Sequence, residues 1–163
     1  MEIEIKKATE VDIPLLYRIF EKSVTGLCCQ DYEAEQIQAW VSRADVSRWQ
    51  ELFKSDLCFW LAIDKVSRLS VGFTSINRDG YLHSLFVHPD YIRQGIATML
   101  LVHAETWVSQ FHVSSVYAEV SLTARPFFEK QGYKAEQEQC VVVNEVPMCN
   151  FVMRKLLGCC NSL

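Results

Sequence analysis

The sequence has no run of Lys and Arg, no CxxC pair, no long apolar stretch and no low-complexity tract, and each absence removes a class of function. Its 16 basic and 20 acidic residues give a net charge of −4. With no basic cluster to track a phosphate backbone, no nucleic acid is expected as a partner. The longest apolar runs, at residues 58–63 and 99–102, fall far short of the roughly 20 residues that span a bilayer. The start, Met1-Glu2-Ile3-Glu4-Ile5-Lys6-Lys7, alternates charge with Ile instead of offering the apolar core of a secretory signal. No membrane partner is expected. The seven cysteines are odd in number and lack metal or redox spacing, so no metal is expected and reduced thiols in a cytoplasmic protein are the reading. Cys58, Cys140 and Cys149 read as small buried hydrophobes on strands. At the tail, Cys160-Asn161-Ser162-Leu163 has the bare frame of a prenylation box. Asn and Ser are poor at its middle positions and no polybasic stretch precedes it, so a frayed terminus is the reading.

Glycine and proline are sparse, at six and four, and no linker composition marks a boundary, so residues 1–163 read as a single domain. A chain of this size buries roughly two-thirds of its unfolded surface and needs no staple to fold. After a first strand around Ile3 and Ile5, Thr9 offers an N-cap with Asp12 three residues on, leading into Ile13, Leu16, Tyr17 and Phe20 at helical spacing. Residues 32–40 and 47–53 suggest two further short helices, separated by Arg43-Ala44-Asp45. Residues 57–63, 69–76 and 81–87 form an antiparallel meander, with a turn at 64–68, a second at Asn77-Arg78-Asp79-Gly80 and a stop at His88-Pro89. Residues 95–111 are the longest helical pattern, with Ile96, Met99, Leu100, His103 and Trp107 on one face. A strand at 113–120, a short helix at 123–131 ended by Gly132, and a closing hairpin of 133–142 with 148–153 complete the chain. This order predicts an α/β fold: helices on both faces of a mixed, mostly antiparallel sheet, with one parallel neighbour where the 95–111 helix crosses over.

The run from Leu85 to Thr98 passes from a strand through a polar turn into a helix whose first turn holds Gly95 and Ala97. Small residues there admit a close ligand, a helix N-terminus offers free amides and a positive dipole end, and Arg93 adds a charge, so a phosphate group is the expected guest. No Gly-Lys-Ser/Thr follows, and one Gly stands where a dinucleotide fingerprint needs three. Taken alone, the loop equally suits an ordinary strand-to-helix connection.

The same run, centred on Arg93-Gln94-Gly95-Ile96-Ala97, resembles the acetyl-CoA-binding motif of the GNAT superfamily of N-acetyltransferases, Gln/Arg-x-x-Gly-x-Gly/Ala. Ser121-Leu122-Thr123-Ala124-Arg125-Pro126-Phe127-Phe128-Glu129-Lys130-Gln131-Gly132-Tyr133 is similar to that superfamily's second signature, Asn-x-x-Ala-x-x-Leu-Tyr-x-Lys-x-Gly-Phe. The resemblance covers essentially the whole chain. The Asp31-Tyr32 and Ala39-Trp40 segments are similar to a YafP-like branch of small bacterial members. It implies a GNAT fold and transfer of acetyl from acetyl-CoA to a small-molecule or peptide amine, by direct attack with both substrates bound. The alternative is a non-catalytic acyl-CoA-binding or sensing module. Pairing into a homodimer stays open, with nothing in the sequence to locate an interface.

The resemblance assigns cofactor contacts to Leu85, Phe86 and Val87 on the strand and to Arg93, Gln94, Gly95, Ile96, Ala97 and Thr98 in the loop. From the second signature come Ser121, Ala124, Phe127 and Phe128. Several positions depart from the pattern, among them Ser121 at its Asn, where the hydroxyl can still hydrogen-bond to the pantetheine arm or local backbone. Ile92 stands where the family has Gln or Arg, and Phe128 stands at the Tyr that often protonates the departing thiolate, leaving Tyr133, Tyr81 or Tyr117 as substitutes. The oxyanion donor is implied to be a backbone N–H near Phe86 or Val87. For a general base, His83 and Glu119 flank the expected cleft on their strands, whereas His88 before Pro89 reads as a turn residue. Tyr32 and Trp40 are candidates for acceptor binding. With Asp31, Glu33 and Glu35 nearby in sequence, they suggest a cationic or aromatic amine.

Overall fold

The computed structural model describes residues 1–158. The Ile alternation at the start becomes strand β1 (Ile3–Lys7). Thr9 then opens a 3-10 turn in which its amide donates to the Asp12 carboxylate at 2.9 Å, and α1 (Ile13–Leu27) follows directly. α2 (Ala34–Arg43) begins two residues later than the sequence reading, because the Glu33 amide donates to the Gln36 side chain at 2.8 Å and makes Glu33 the cap. Tyr32 is left in the turn before it. The Asp45 carboxylate accepts from the Arg48 amide at 2.8 Å and starts α3 (Val46–Lys54).

The meander follows as β2 (Cys58–Asp64), β3 (Ser70–Ile76) and β4 (Tyr81–Val87). Next come α4 (Ile96–Ser109), β5 (Ser115–Ser121), α5 (Arg125–Lys130), β6 (Lys134–Val143) and β7 (Val146–Leu156). The seven strands form one sheet in the order β1-β2-β3-β4-β5-β7-β6, and every neighbouring pair is antiparallel except β4 with β5. α4 supplies the crossover that a parallel pair requires. Alternation along the strands feeds two cores. Phe59, Leu61 and Phe73 pack with α1, α2 and Trp49 on one face. Trp60, Ile76, Leu82 and Val116 pack with α4 and Phe128 on the other. No helix among the described residues is long and apolar enough to cross a membrane.

The buried stripe of α4 is Ile96, Leu100, Leu101, Ala104 and Val108. Met99, assigned to that stripe from spacing, is 40% exposed. His103 and Trp107 flank the stripe and pack edge-on against Trp60, each at 5.0 Å between ring centroids. The cysteines also depart from expectation. Cys140 and Cys149 face each other across the β6–β7 hairpin and are exposed, because β6 is an edge strand open to solvent over most of its length. Cys58 is half-buried, and Cys28 is the buried thiol. The C-terminal prenylation frame lies outside the described residues.

The turn before β4 fixes where the sheet's parallel pair begins. The Asn77 side-chain oxygen accepts from the Asp79 and Tyr81 amides, both at 3.0 Å. Gly80 adopts φ +92, and a Cβ there would lie 2.3 Å from the Ser115 carbonyl oxygen. Its own carbonyl accepts from the Tyr117 amide at 3.0 Å. Gly80→Ala therefore adds backbone strain to a backbone clash, and a loss of about 2 kcal/mol or more is expected in denaturant unfolding.

Candidate active site

β4 and β5 pair only at Tyr81 with Tyr117 and Leu82 with Ala118. Beyond that point they separate, although β4 stays paired to β3 as far as Val87 and β5 to β7 as far as Ser121. The separation leaves a gap bordered by the backbone of Leu85, Phe86 and Val87 on one side and by the end of β5 on the other. It begins at an irregularity in β4: Leu82 partners Ile76 but Ser84 partners Ser75, so His83 is an extra, unpaired residue. Such a bulge re-aims side chains. Here Tyr81, His83, Ser84 and Phe86 all line one cavity. A buried hydrogen bond between the Ser75 and Ser84 hydroxyls and another from Thr74 Oγ1 to the Ser84 carbonyl, at 2.8 Å, hold the bulge in place.

At the far end of β4 the chain passes His88, whose Nδ1 accepts from the Asp90 amide at 3.2 Å and so serves the turn. Arg93 and Gly95 both take left-handed backbone angles, φ +60 and +80. The first α4 amide to find a helical partner is that of Met99, on the Gly95 carbonyl at 3.0 Å. The amides of Ile96, Ala97 and Thr98 lie before it, at the positive end of the helix dipole. Arg93, Gln94 and Gly95 are exposed, and nothing lies within 4 Å of where a Gly95 Cβ would stand. The cradle is open and its floor is backbone. Ile92, also exposed, brings no polar side chain to it.

The second signature sits at the end of β5. Ser121 lines the cavity, and its Oγ accepts from the Ala124 amide at 3.1 Å, so the hydroxyl serves the local backbone. Ala124 caps α5, while Phe127 and Phe128 pack into the core on the α4 side. Phe128 meets Tyr133 edge-on at 5.1 Å. The structure does not bring Tyr133 to the cavity. It is buried on the α4 face, its hydroxyl donates to Glu105 at 2.8 Å, and Glu105 also pairs with Lys155. Burial pushes its phenol far up, so its proton is committed there.

The cavity measures about 450 Å³ and gathers the other candidates. His83 and Glu119 both line it, as do Tyr81 and Ser84. The Glu119 carboxylate accepts from Gln139 Nε2 at 3.0 Å, a partner that sequence reading did not supply. Burial, and then the Glu119 charge, push the Tyr81 phenol up to about 12, so it is protonated at neutral pH. Trp40 forms part of the wall, edge-on to Tyr32 at 5.8 Å and to Phe20 at 6.2 Å. Tyr32 is only 7% exposed, and its hydroxyl is spent: it donates to the Cys149 carbonyl at 2.8 Å and accepts from the Leu122 amide at 2.9 Å. Its ring, not its oxygen, is what the cavity wall receives. Asp31, Glu33 and Glu35 do not line the cavity, and Asp31 instead accepts from Thr123 Oγ1 at 2.8 Å. The charges that do line it besides Glu119 are Arg43 and Arg48.

Among the described residues, three buried side-chain polar atoms have no partner: Trp49 Nε1, His83 Nδ1 and Asn150 Oδ1. All three belong to residues of this one cavity. Buried polar groups are normally satisfied, so this concentration makes the cavity a candidate binding site. No group of three metal-ligating side chains occurs among the described residues. Burial, with Arg48 and Arg43 adding to it, pushes the His83 imidazole from 6.5 down to about 4. The unfolded chain takes up that proton at higher pH than the folded one. The stability tied to a neutral His83 is therefore full above about pH 6.5 and is lost as pH falls towards 4. His83→Gln should flatten this slope, read as the difference between wild-type and variant denaturation midpoints at neutral pH and near pH 4.

Comparison with known proteins bears on the family and the fold. The family model for the acetyltransferase (GNAT) domain matches residues 28–155. The chain is 37% identical over 153 residues, 93% of its own length and 95% of the other's, to a protein of Escherichia coli strain K12 described as the uncharacterized N-acetyltransferase YafP. Among solved structures it superposes on a GCN5-related N-acetyltransferase from Rhodopseudomonas palustris with a TM-score of 0.90 at 27% identity, covering 96% of this chain and 97% of that one. The PaiA N-acetyltransferase of Thermoplasma acidophilum, solved in complex with coenzyme A, shares the fold at a TM-score of 0.79 and 21% identity, covering 96% of this chain and all of that one. By matched sequence and by fold, the chain belongs to the GNAT family of acetyltransferases.

Proposed function

We propose that this site moves an acetyl group from acetyl-CoA to the nitrogen of a primary amine, with both substrates bound together. The observation that carries this reading is the β4–β5 separation, because the residues at its edges also line the cavity: Ser84 and Phe86 on β4, Glu119 and Ser121 on β5. Acetyl-CoA, when bound, supplies an activated acetyl thioester and a thiol leaving group. The unpaired edge of β4 from Leu85 to Val87 suits the amide-bearing pantetheine arm. The Ile96, Ala97 and Thr98 amides with Arg93 suit the pyrophosphate, and the open space over Gly95 gives it room.

Glu119 is the base that takes the proton from the attacking nitrogen, directly or through water, since Gln139 occupies only part of its acceptor capacity. Tyr81, kept protonated in the same cavity, is the donor that replaces the missing Tyr at position 128. Neutral His83 orders the wall and holds no charge against the incoming amine. The described cysteines are all free thiols, which suits a reducing, cytoplasmic setting.

Direct attack has a kinetic signature. Initial rates at varied amine and acetyl-CoA should give intersecting reciprocal lines. Parallel lines would mean a covalent acetyl-enzyme and would direct attention to Cys149, the described thiol that lines the cavity.

A further inference from the structure

We propose that the acceptor is an amino carboxylate with an aromatic or bulky apolar side chain, its carboxylate held by Arg48 and Arg43 at the α2–α3 turn. This rests on the acetyl-transfer reading of the cavity and names the class of amine it takes.

Arg43 is the last residue of α2 and Arg48 lies in the first turn of α3, with the Asp45 cap between them. Both line the cavity, and neither has an ion-pair partner among the described residues. Asp45, the nearest carboxylate in sequence, is used on the Arg48 backbone amide. Arg48 is half-buried beside Trp49, whose indole N–H is one of the unpartnered buried donors. Two guanidinium groups and an unsatisfied N–H on an aromatic wall call for an anion, because a guanidinium fork matches a carboxylate and a partly desolvated cation gains most from meeting one.

Among the described residues, Glu119 is the one acidic side chain lining the cavity. Tyr81, Glu119 and Arg48 line the same cavity. An α-amino carboxylate fits the last two: its ammonium faces Glu119, where it must lose a proton, and its carboxylate faces Arg48. Phe20, Trp40, Trp49, Phe59 and Phe86 then receive the side chain. A polyamine would bring a second cation against the two arginines, and a blocked carboxylate would leave them unanswered.

The test is thiol release from acetyl-CoA with matched amines: phenylalanine and tryptophan, their methyl esters, phenethylamine and tryptamine, and spermidine. The free amino acids should exceed their esters and decarboxylated partners in kcat/KM by about tenfold or more. Arg48→Met should remove most of that preference, chiefly through KM, and Arg48→Lys should keep part of it. Calorimetric acetyl-CoA affinity and the melting temperature serve as controls for folding. Equal or better turnover of the esters, the decarboxylated amines or spermidine overturns the assignment while leaving acetyl transfer standing. A preference that survives in the Arg43→Met, Arg48→Met double variant overturns it as well. Acetyl-CoA binding with no turnover of any amine overturns both readings together.

Discussion

Gly95→Trp should abolish coenzyme A binding and leave the fold standing. Gly95 sits at φ +80 immediately before α4, and a side chain there projects into open space over the free amides of the helix. The fold loses only the left-handed backbone cost, about 1–2 kcal/mol, which lowers the melting temperature by a few degrees. On the proposed placement the pyrophosphate would lose its seat. Several amide and charge contacts at ~1–3 kcal/mol each are lost at once, so calorimetry should show affinity weakened by about a hundredfold or more. Gly95→Ala is the comparison, since it carries the same backbone cost without the bulk. If Gly95→Trp binds coenzyme A as the wild type does, the pyrophosphate does not lie on this loop.

The second large effect is at Glu119. Glu119→Gln keeps the shape and the neighbouring Gln139 but removes the proposed base, and kcat should fall by about 10²–10⁴-fold. Acetyl-CoA affinity should stay at the wild-type value, because Glu119 borders the acceptor side of the gap. Raising the pH increases the fraction of amine already deprotonated, so the variant's deficit should shrink at alkaline pH. Tyr81→Phe should show the reverse pattern: a smaller loss that does not recover with pH, because what it lacks is a proton donor. A Glu119→Gln enzyme with nearly wild-type kcat would mean that the carboxylate is a solvated strand residue.

Much of this was legible in the sequence because it is local. The Ile alternation of β1, the apolar run of β2, the Asn77 turn, the Thr9 and Asp12 cap and the small residues at the start of α4 each declare themselves within a few positions. The parallel β4–β5 pair followed from the length of the intervening helix. What failed to show is what depends on partners far along the chain. The bulge at His83, though its partners Ser75 and Ile76 are just across the hairpin, depends on a register that the residue pattern does not set. The commitment of Tyr133 depends on Glu105, 28 residues earlier. Tyr32 looked free to meet a ligand, yet its hydroxyl is held by Cys149 and Leu122 from the other end of the chain. In the sequence Arg43 belongs to the short separator between two helical patterns, and Arg48 lies inside the second with nothing local to distinguish it. Only the packing of α2 and α3 against the sheet brings Arg43 and Arg48, and not Asp31, Glu33 and Glu35, to the cavity.

The most direct test of the central claim is a single-turnover experiment: enzyme in excess over acetyl-CoA, an amine from the panel above, and free thiol and N-acetylated amine quantified together. Acetyl transfer at this site predicts that the two appear at the same rate and in equal amounts, with neither formed when the amine is omitted. Tight acetyl-CoA binding with no thiol released against any amine would contradict it and would identify the protein as an acyl-CoA-binding module instead.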